Sequence, residues 1–210
     1  MRVLIGSVGR CACNYLLDLF DLNGYYTVQE HGDGGSVWDE DKFASNHKSA
    51  LFSHQLFWLP KTKIDKGIIL SRRDKLAHAF SFAVVDYLLT LDIKDEIISA
   101  WHPHKSSDRI PKKKIELSYL SNKMDNIEND NNNRIKWFEQ HKIPYIHLHY
   151  EDMFSLETAK FLRENYNITK FRQPGDKHLR PATVKNPIQA KDIFENYETA
   201  IWQFYEGYAE

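Results

Sequence analysis

The run Ile68-Ile-Leu-Ser71 gives way within four residues to a helical pattern from Lys75 to about Leu91. No other feature constrains the fold as much. An apolar run this short, bounded by polar turn residues, reads as a strand buried on both faces. Such a strand needs a covering layer on each side. The unit recurs along the chain. Val3-Leu-Ile5 precedes a glycine-containing turn and a helical pattern from Tyr15 that stops at Asn23-Gly24. Tyr25 to Gln29 and Ala50 to His54 read as strands, with a helix expected between them from Trp38 to Lys48. A long polar helix is expected from Lys114 to Lys142, with Asn129 to Asn133 as the place where it kinks or ends. Pro144 to Tyr150 alternates like a strand, and a helix follows near Leu156 to Asn165. A last helix begins at Pro187 and runs to about Tyr208, with Ile201, Trp202, Phe204 and Tyr205 expected in the core. Strands alternating with helices imply an α/β fold with a mostly parallel central sheet flanked by helices. The expectation is one domain spanning residues 1–210.

Charge excludes some partners. The 28 Lys and Arg residues nearly balance 29 Asp and Glu, so bulk attraction to nucleic acid is not expected. No stretch approaches the ~20 apolar residues of a membrane span, and the short apolar run after Met1 does not resemble a signal peptide. The only cysteines, Cys11 and Cys13, are too few for a structural zinc site. Free thiols suit a reducing compartment, and a cytoplasmic location is expected.

Two elements have the chemistry of anion binding. Gly6-Ser-Val-Gly-Arg-Cys-Ala-Cys-Asn14 follows the first strand and opens a helix, so its backbone N–H groups and the helix dipole favour an anion. It lacks the Gly-Lys-Ser/Thr of a Walker A loop. Arg72 and Arg73 precede the helix at Lys75, where positive charge opposes the dipole. A bound anion would explain them, and a guanidinium fork matches phosphate oxygens. Ser81, eight residues after Arg73, offers a hydroxyl from the same helix. Two phosphate grips suggest a ligand with two separate phosphates.

These elements together resemble the sulfotransferases that use 3′-phosphoadenosine 5′-phosphosulfate (PAPS). In that family an N-terminal strand–loop–helix cradles the 5′-phosphosulfate. An Arg after a later strand, with a Ser eight residues on, binds the 3′-phosphate; Arg73 and Ser81 keep that spacing. The run Arg72-Arg-Asp-Lys-Leu-Ala-His-Ala-Phe-Ser81 is most similar to the bacterial branch acting on trehalose and related glycans. Gln29-Glu30, the strand ending Tyr150-Glu-Asp152, and Val184-Lys-Asn-Pro187 through Glu195-Asn-Tyr-Glu198 extend the likeness over most of the chain. The chain departs from the family in its loop, where Cys11-Ala-Cys-Asn14 stands in place of Ser-Gly followed by two hydroxyl residues.

The resemblance implies a P-loop-like three-layer fold and in-line transfer of a sulfuryl group from PAPS to a hydroxyl of a carbohydrate or glycolipid, without a metal. It assigns Gly9, Arg10, Cys11, Ala12, Cys13, Asn14, Arg73, Ser81 and Lys185 to the nucleotide, with Arg172 and Arg180 as lesser candidates. Arg10 would also stabilise the leaving phosphate. Two residues compete as general base. Glu30 matches the carboxylate of the glycan branch and is preferred; His54 matches the histidine of the small-molecule branch. Two other readings stand beside this one: a catalytically silent binder of a 3′-phosphonucleotide, and an atypical P-loop kinase.

Overall fold

The computed structural model describes residues 1–9, 11–29, 40–53, 63–91, 110–171 and 189–206. The chain divides into two compact units, Met1–Arg73 with Asn129–Val184, and Asp74–Glu128 with Lys185–Glu210. The strands are β1 (Arg2–Ser7), β2 (Tyr26–Gln29), β3 (Ser49–Ser53), β4 (Lys66–Ser71) and β5 (Tyr145–His149). The helices are α1 (Cys13–Leu22), α2 (Glu40–Ser45), α3 (Lys75–Thr90), α4 (Leu117–Gln140), α5 (Leu156–Tyr166), α6 (Ala190–Ile193) and α7 (Tyr197–Glu206).

The first unit holds all five strands in the order β2-β3-β1-β4-β5, each pair parallel. Ile5 stands opposite both Phe52 and Ile68, so alternate residues of the three central strands share a face. On one face Val3, Ile5, Phe52, Ile68 and Leu70 pack with α1 and with Leu162 and Tyr166 of α5. On the other, Leu4, Leu51 and Ile69 pack with Phe43 of α2 and Phe138 of α4. This is the three-layer α/β arrangement that the apolar strand runs require.

Local chemistry sets the boundaries. Helix α1 ends where Gly24 adopts φ 81 and its N–H reaches Asp21 O at 2.9 Å. The Asn23 amide donates to Leu19 O and Lys170 O and accepts from the N–H groups of Thr169 and Lys170. That ties the end of α1 to the segment after α5. Helix α5 starts on a Ser155 cap to Thr158 N and stops at a left-handed Asn167. Helix α4 runs unbroken through Asn129–Asn133. Weak local propensity there is overridden by packing: Ile127, Arg134 and Phe138 are buried, and Arg134 Nη1 donates back to Asp130 O at 2.9 Å.

In the second unit, Asp74 caps α3 by accepting from Ala77 N at 2.8 Å. The C-terminal helix departs from expectation twice. It is interrupted at residues 194–196, where Phe194 bridges Lys113 and the Asn196 side chain bonds both Ile115 N and Ile115 O at 2.9 Å. Those bonds anchor a non-helical backbone between α6 and α7. Two of its aromatic residues also lie outside the core: Trp202 and Tyr205 are 60% and 61% exposed, while Phe204 is half-buried and Ala200 is buried. Composition alone suggested a core helix, but its buried face is built on a small residue. No helix among the described residues is long and apolar enough to cross a membrane.

Candidate anion site at the strand ends

Neighbouring strands β1 and β4 send the chain in opposite directions. The connection from β1 leads to β2 on one side, whereas β4 leads toward β5 on the other. Between two such strands the carboxyl ends form the crevice where α/β sheets bind ligands.

The loop after β1 is shaped by its backbone. Ser7 is fully buried and its Oγ accepts from Gly9 N at 3.1 Å. Gly9 has φ 98 and Ala12 φ 62, so two left-handed residues bend the chain into α1. Ala12, at the N-cap of α1, offers no capping side chain, and Leu16 N bonds Ala12 O at 3.1 Å. An uncapped helix start after such a loop favours an anion through its amides and dipole. Ala12 holds this shape against the Cβ clash that glycine avoids.

The two thiols do not line this loop. Cys11 and Cys13 form no disulfide, and both are buried in the core cluster that includes α1. The Cys11 thiol donates to Gly9 O at 3.1 Å. Burial, reinforced by Cys13, pushes its pKa up to about 12, so it stays neutral. Both behave as small hydrophobes, and Cys11 can offer a ligand only its backbone. Asn14, half-buried, has its Oδ1 enclosed without a hydrogen-bond partner among the described residues.

At the end of β4 the two arginines part company. Arg73 is exposed and forms a two-bonded fork with Asp152, Nη1 to Oδ1 at 2.8 Å and Nη2 to Oδ2; its N–H donates to Glu151 at 3.1 Å. The hydrogen bonds from Arg73 hold the Asp152 carboxyl below the usual carboxylate range. The counter-anion demanded by an arginine before a helix is thus supplied by the chain itself. Arg72 is half-buried, with its guanidinium 4.2 Å from the Tyr150 ring centre and its Nε enclosed without a hydrogen-bond partner among the described residues. Its charge acts on the Cys11 thiol, which places it in electrostatic reach of the β1–α1 loop. No carboxylate among the described residues pairs with it. Sequence reasoning chose Arg73 by its spacing to Ser81. The signal for Arg72 was the Tyr at the end of the neighbouring strand, which only the β4–β5 pairing reveals.

A second polar cluster sits beside these groups. Ser71 Oγ lies 2.7 Å from His147 Nε2 and 3.1 Å from His149 Nδ1, because Ser71 is opposite His149 in the sheet. One hydroxyl can donate to one imidazole while accepting from the other's N–H, so their tautomers are coupled. Burial and His149 hold the His147 pKa below its ordinary value.

Gly9, Cys11 and Ala12 after β1, and Arg72 and Arg73 after β4, therefore lie at the ends of neighbouring strands, with Cys13 and Asn14 opening α1. Ser81 is half-buried on α3, in the other compact unit. Arg10, Glu30, His54, Arg172, Arg180 and Lys185 lie outside the described residues. No protein-family model, curated protein or solved structure matches this chain.

Proposed function

We propose that this protein is a PAPS-dependent sulfotransferase that moves a sulfuryl group to a hydroxyl of a carbohydrate or glycolipid. One observation carries the reading: the start of α1, whose N-cap Ala12 has no capping side chain, and Arg72, which pairs with no carboxylate among the described residues, stand at the ends of neighbouring parallel strands. That pairing suits one phosphate group, with backbone amides on one side and a guanidinium on the other. The family resemblance identifies the anion as part of the phosphosulfate donor. In the reaction the acceptor oxygen bonds to sulfur as the bond from sulfur to the bridging phosphate oxygen breaks. The acceptor proton passes to the base, Glu30 or His54, and the charge on the departing phosphate is met by Arg10 and the loop amides. The resemblance assigns Arg73, Ser81 and Lys185 to the nucleotide.

A second reading is favoured by the fork between Arg73 and Asp152 and by the inward thiols. Both reduce what the site presents to a donor, as expected of a protein that binds a 3′-phosphonucleotide without transferring sulfate. Thermal unfolding with adenosine 3′,5′-bisphosphate, compared with ADP and Mg²⁺, tests the binding claim. Ligand at a hundredfold excess over Kd stabilises the folded state by about 2.7 kcal/mol. Stabilisation by ADP and Mg²⁺ alone would overturn both readings and favour a kinase. Binding without transfer of labelled sulfate from PAPS to a panel of sugars would select the silent binder.

A further inference from the structure

The second compact unit contains a cavity of about 320 Å³ that the sulfuryl-transfer reading does not use. It opens between α3 and the segment Lys113–Tyr119, with Phe194 beside it. Ala83, Ile115 and Phe194 are buried and form an apolar floor. The Tyr87 and Tyr119 rings add aromatic wall. This volume lies at the lower end of the range for small-molecule sites and suits a single ring with short substituents.

Two kinds of polar group meet there. Asp86 is held through Oδ2, which accepts from the Tyr119 hydroxyl and pairs with Lys123 Nζ at 2.9 Å. Burial, with Asp86 beside it, raises the Tyr119 pKa, so the phenol keeps its proton and remains the donor. Asp86 Oδ1 accepts no hydrogen bond among the described residues and is left as an oriented acceptor. At the rim Lys113 and Lys114 are exposed, and neither pairs with a carboxylate among the described residues. The Lys113 ammonium sits 5.4 Å from the Tyr87 ring centre, which holds it at the opening. Glu116 is also on the rim, leaving the rim an excess of one positive charge.

We propose that this cavity binds a hydroxylated aromatic carboxylate, with the ring on the apolar floor. The ligand hydroxyl donates to Asp86 Oδ1, and its carboxylate meets Lys113 and Lys114. The inference is independent of sulfuryl transfer and stands or falls on this cavity alone.

The test uses 4-hydroxybenzoate as probe, with benzoate and phenol as the versions lacking one polar group, in titration calorimetry on the full chain. The expected result is saturable one-to-one binding of 4-hydroxybenzoate, with benzoate and phenol each at least threefold weaker. Replacing both rim lysines, Lys113→Gln with Lys114→Gln, should bring 4-hydroxybenzoate down to the affinity of phenol and leave phenol unchanged. These side chains are exposed, and an unaltered melting temperature confirms the fold. Asp86→Asn should remove the advantage of 4-hydroxybenzoate over benzoate. Absence of saturable binding, equal binding of either truncated probe, or indifference to the lysine changes would overturn the proposal.

Discussion

Gly67→Ala should be among the most damaging single-methyl changes in the chain. Gly67 lies on β4 between Leu4 of β1 and Tyr145 of β5. A Cβ there would stand 2.2 Å from Phe138 Cε1, 2.7 Å from Cδ1 and 2.9 Å from Cζ. Ordinary carbon contacts are about 3.5–4.0 Å, so the ring would have to retreat by more than about 1 Å. It has little room to do so. Phe138 is fully buried, with Trp137 and Tyr145 ring centres at 5.2 and 5.5 Å. Nor can the strand yield easily, since Gly67 N bonds Pro144 O at 2.8 Å and Gly67 O accepts from Tyr166 at 3.0 Å.

Overpacking by one methyl costs roughly 1–3 kcal/mol, and three short contacts to one rigid ring place this site at the upper end. The lower unfolded-state entropy of alanine returns about 0.5–1 kcal/mol. The net expectation is a loss of about 2 kcal/mol, or roughly 4–8 °C in Tm. Urea unfolding of the wild type, Gly67→Ala, Phe138→Leu and the double variant measures it. The smaller leucine side chain should accept the new methyl, so the double variant should be at least about 1 kcal/mol more stable than the sum of the single losses. A Gly67→Ala change within about 0.5 kcal/mol of wild type, or simple additivity, would refute the packing of α4 on this strand. Because β4 carries Ser71 and Arg72 at its far end, Gly67→Ala should also weaken adenosine 3′,5′-bisphosphate binding, and Phe138→Leu should restore it.

Other outcomes follow from the site. Ala12→Gly should stabilise the protein by up to about 1 kcal/mol in thermal unfolding, because it removes a left-handed alanine at φ 62; a destabilised variant would contradict the loop geometry. Arg72→Ala should weaken adenosine 3′,5′-bisphosphate binding about tenfold or more, as loss of a charge-assisted bond to phosphate predicts, and Tyr150→Leu should weaken it less. Asp152→Asn should release Arg73 and tighten the same ligand a few-fold; unchanged affinity would show that Arg73 stays with its fork or does not touch phosphate. Cys11 has its folded pKa raised from 9.0 to about 12, so its contribution is complete below about pH 9 and falls as pH rises toward 12. There the unfolded chain binds fewer protons than the folded one, giving a slope of up to about −1.4 kcal/mol per pH unit. Urea unfolding between pH 8 and pH 11 should show a shallower decline for Cys11→Ala than for wild type.

Much of the fold was legible because both-sided burial leaves a direct mark. Val3-Leu-Ile5, Ala50-Leu-Phe52 and Ile68-Ile-Leu70 are apolar on consecutive residues, which only strands covered on both faces require. The stop at Asn23-Gly24 was equally plain, since a left-handed residue after a helix favours glycine. The interruption near Phe194 was not legible. It depends on hydrogen bonds between Asn196 and Ile115, 81 residues apart, and no local pattern encodes a partner at that distance. The exposure of Trp202 and Tyr205 was hidden for a related reason: aromatic content measures how much surface could be buried, not which side of a helix meets a neighbour.

The two arginines show how the same limit falls on the site. By sequence Arg72 and Arg73 are equivalent cations before a helix, and the serine spacing favoured the second. Parallel pairing of β5 beside β4 then sets Tyr150, Glu151 and Asp152 against them. Asp152 takes Arg73 through two hydrogen bonds, whereas Tyr150 takes the face of Arg72. A carboxylate neutralises the charge it binds, but an aromatic face fixes a guanidinium in place and leaves its edge donors available. An incoming anion would therefore find Arg72 already oriented and Arg73 only after displacing Asp152. The Tyr-Glu-Asp turn thus assigns the arginines different tasks. On the proposed reading Arg72 would give the first electrostatic capture, and Arg73 would engage a second phosphate only in a ligand that competes with Asp152, so discrimination for two phosphates over one would reside in that exchange.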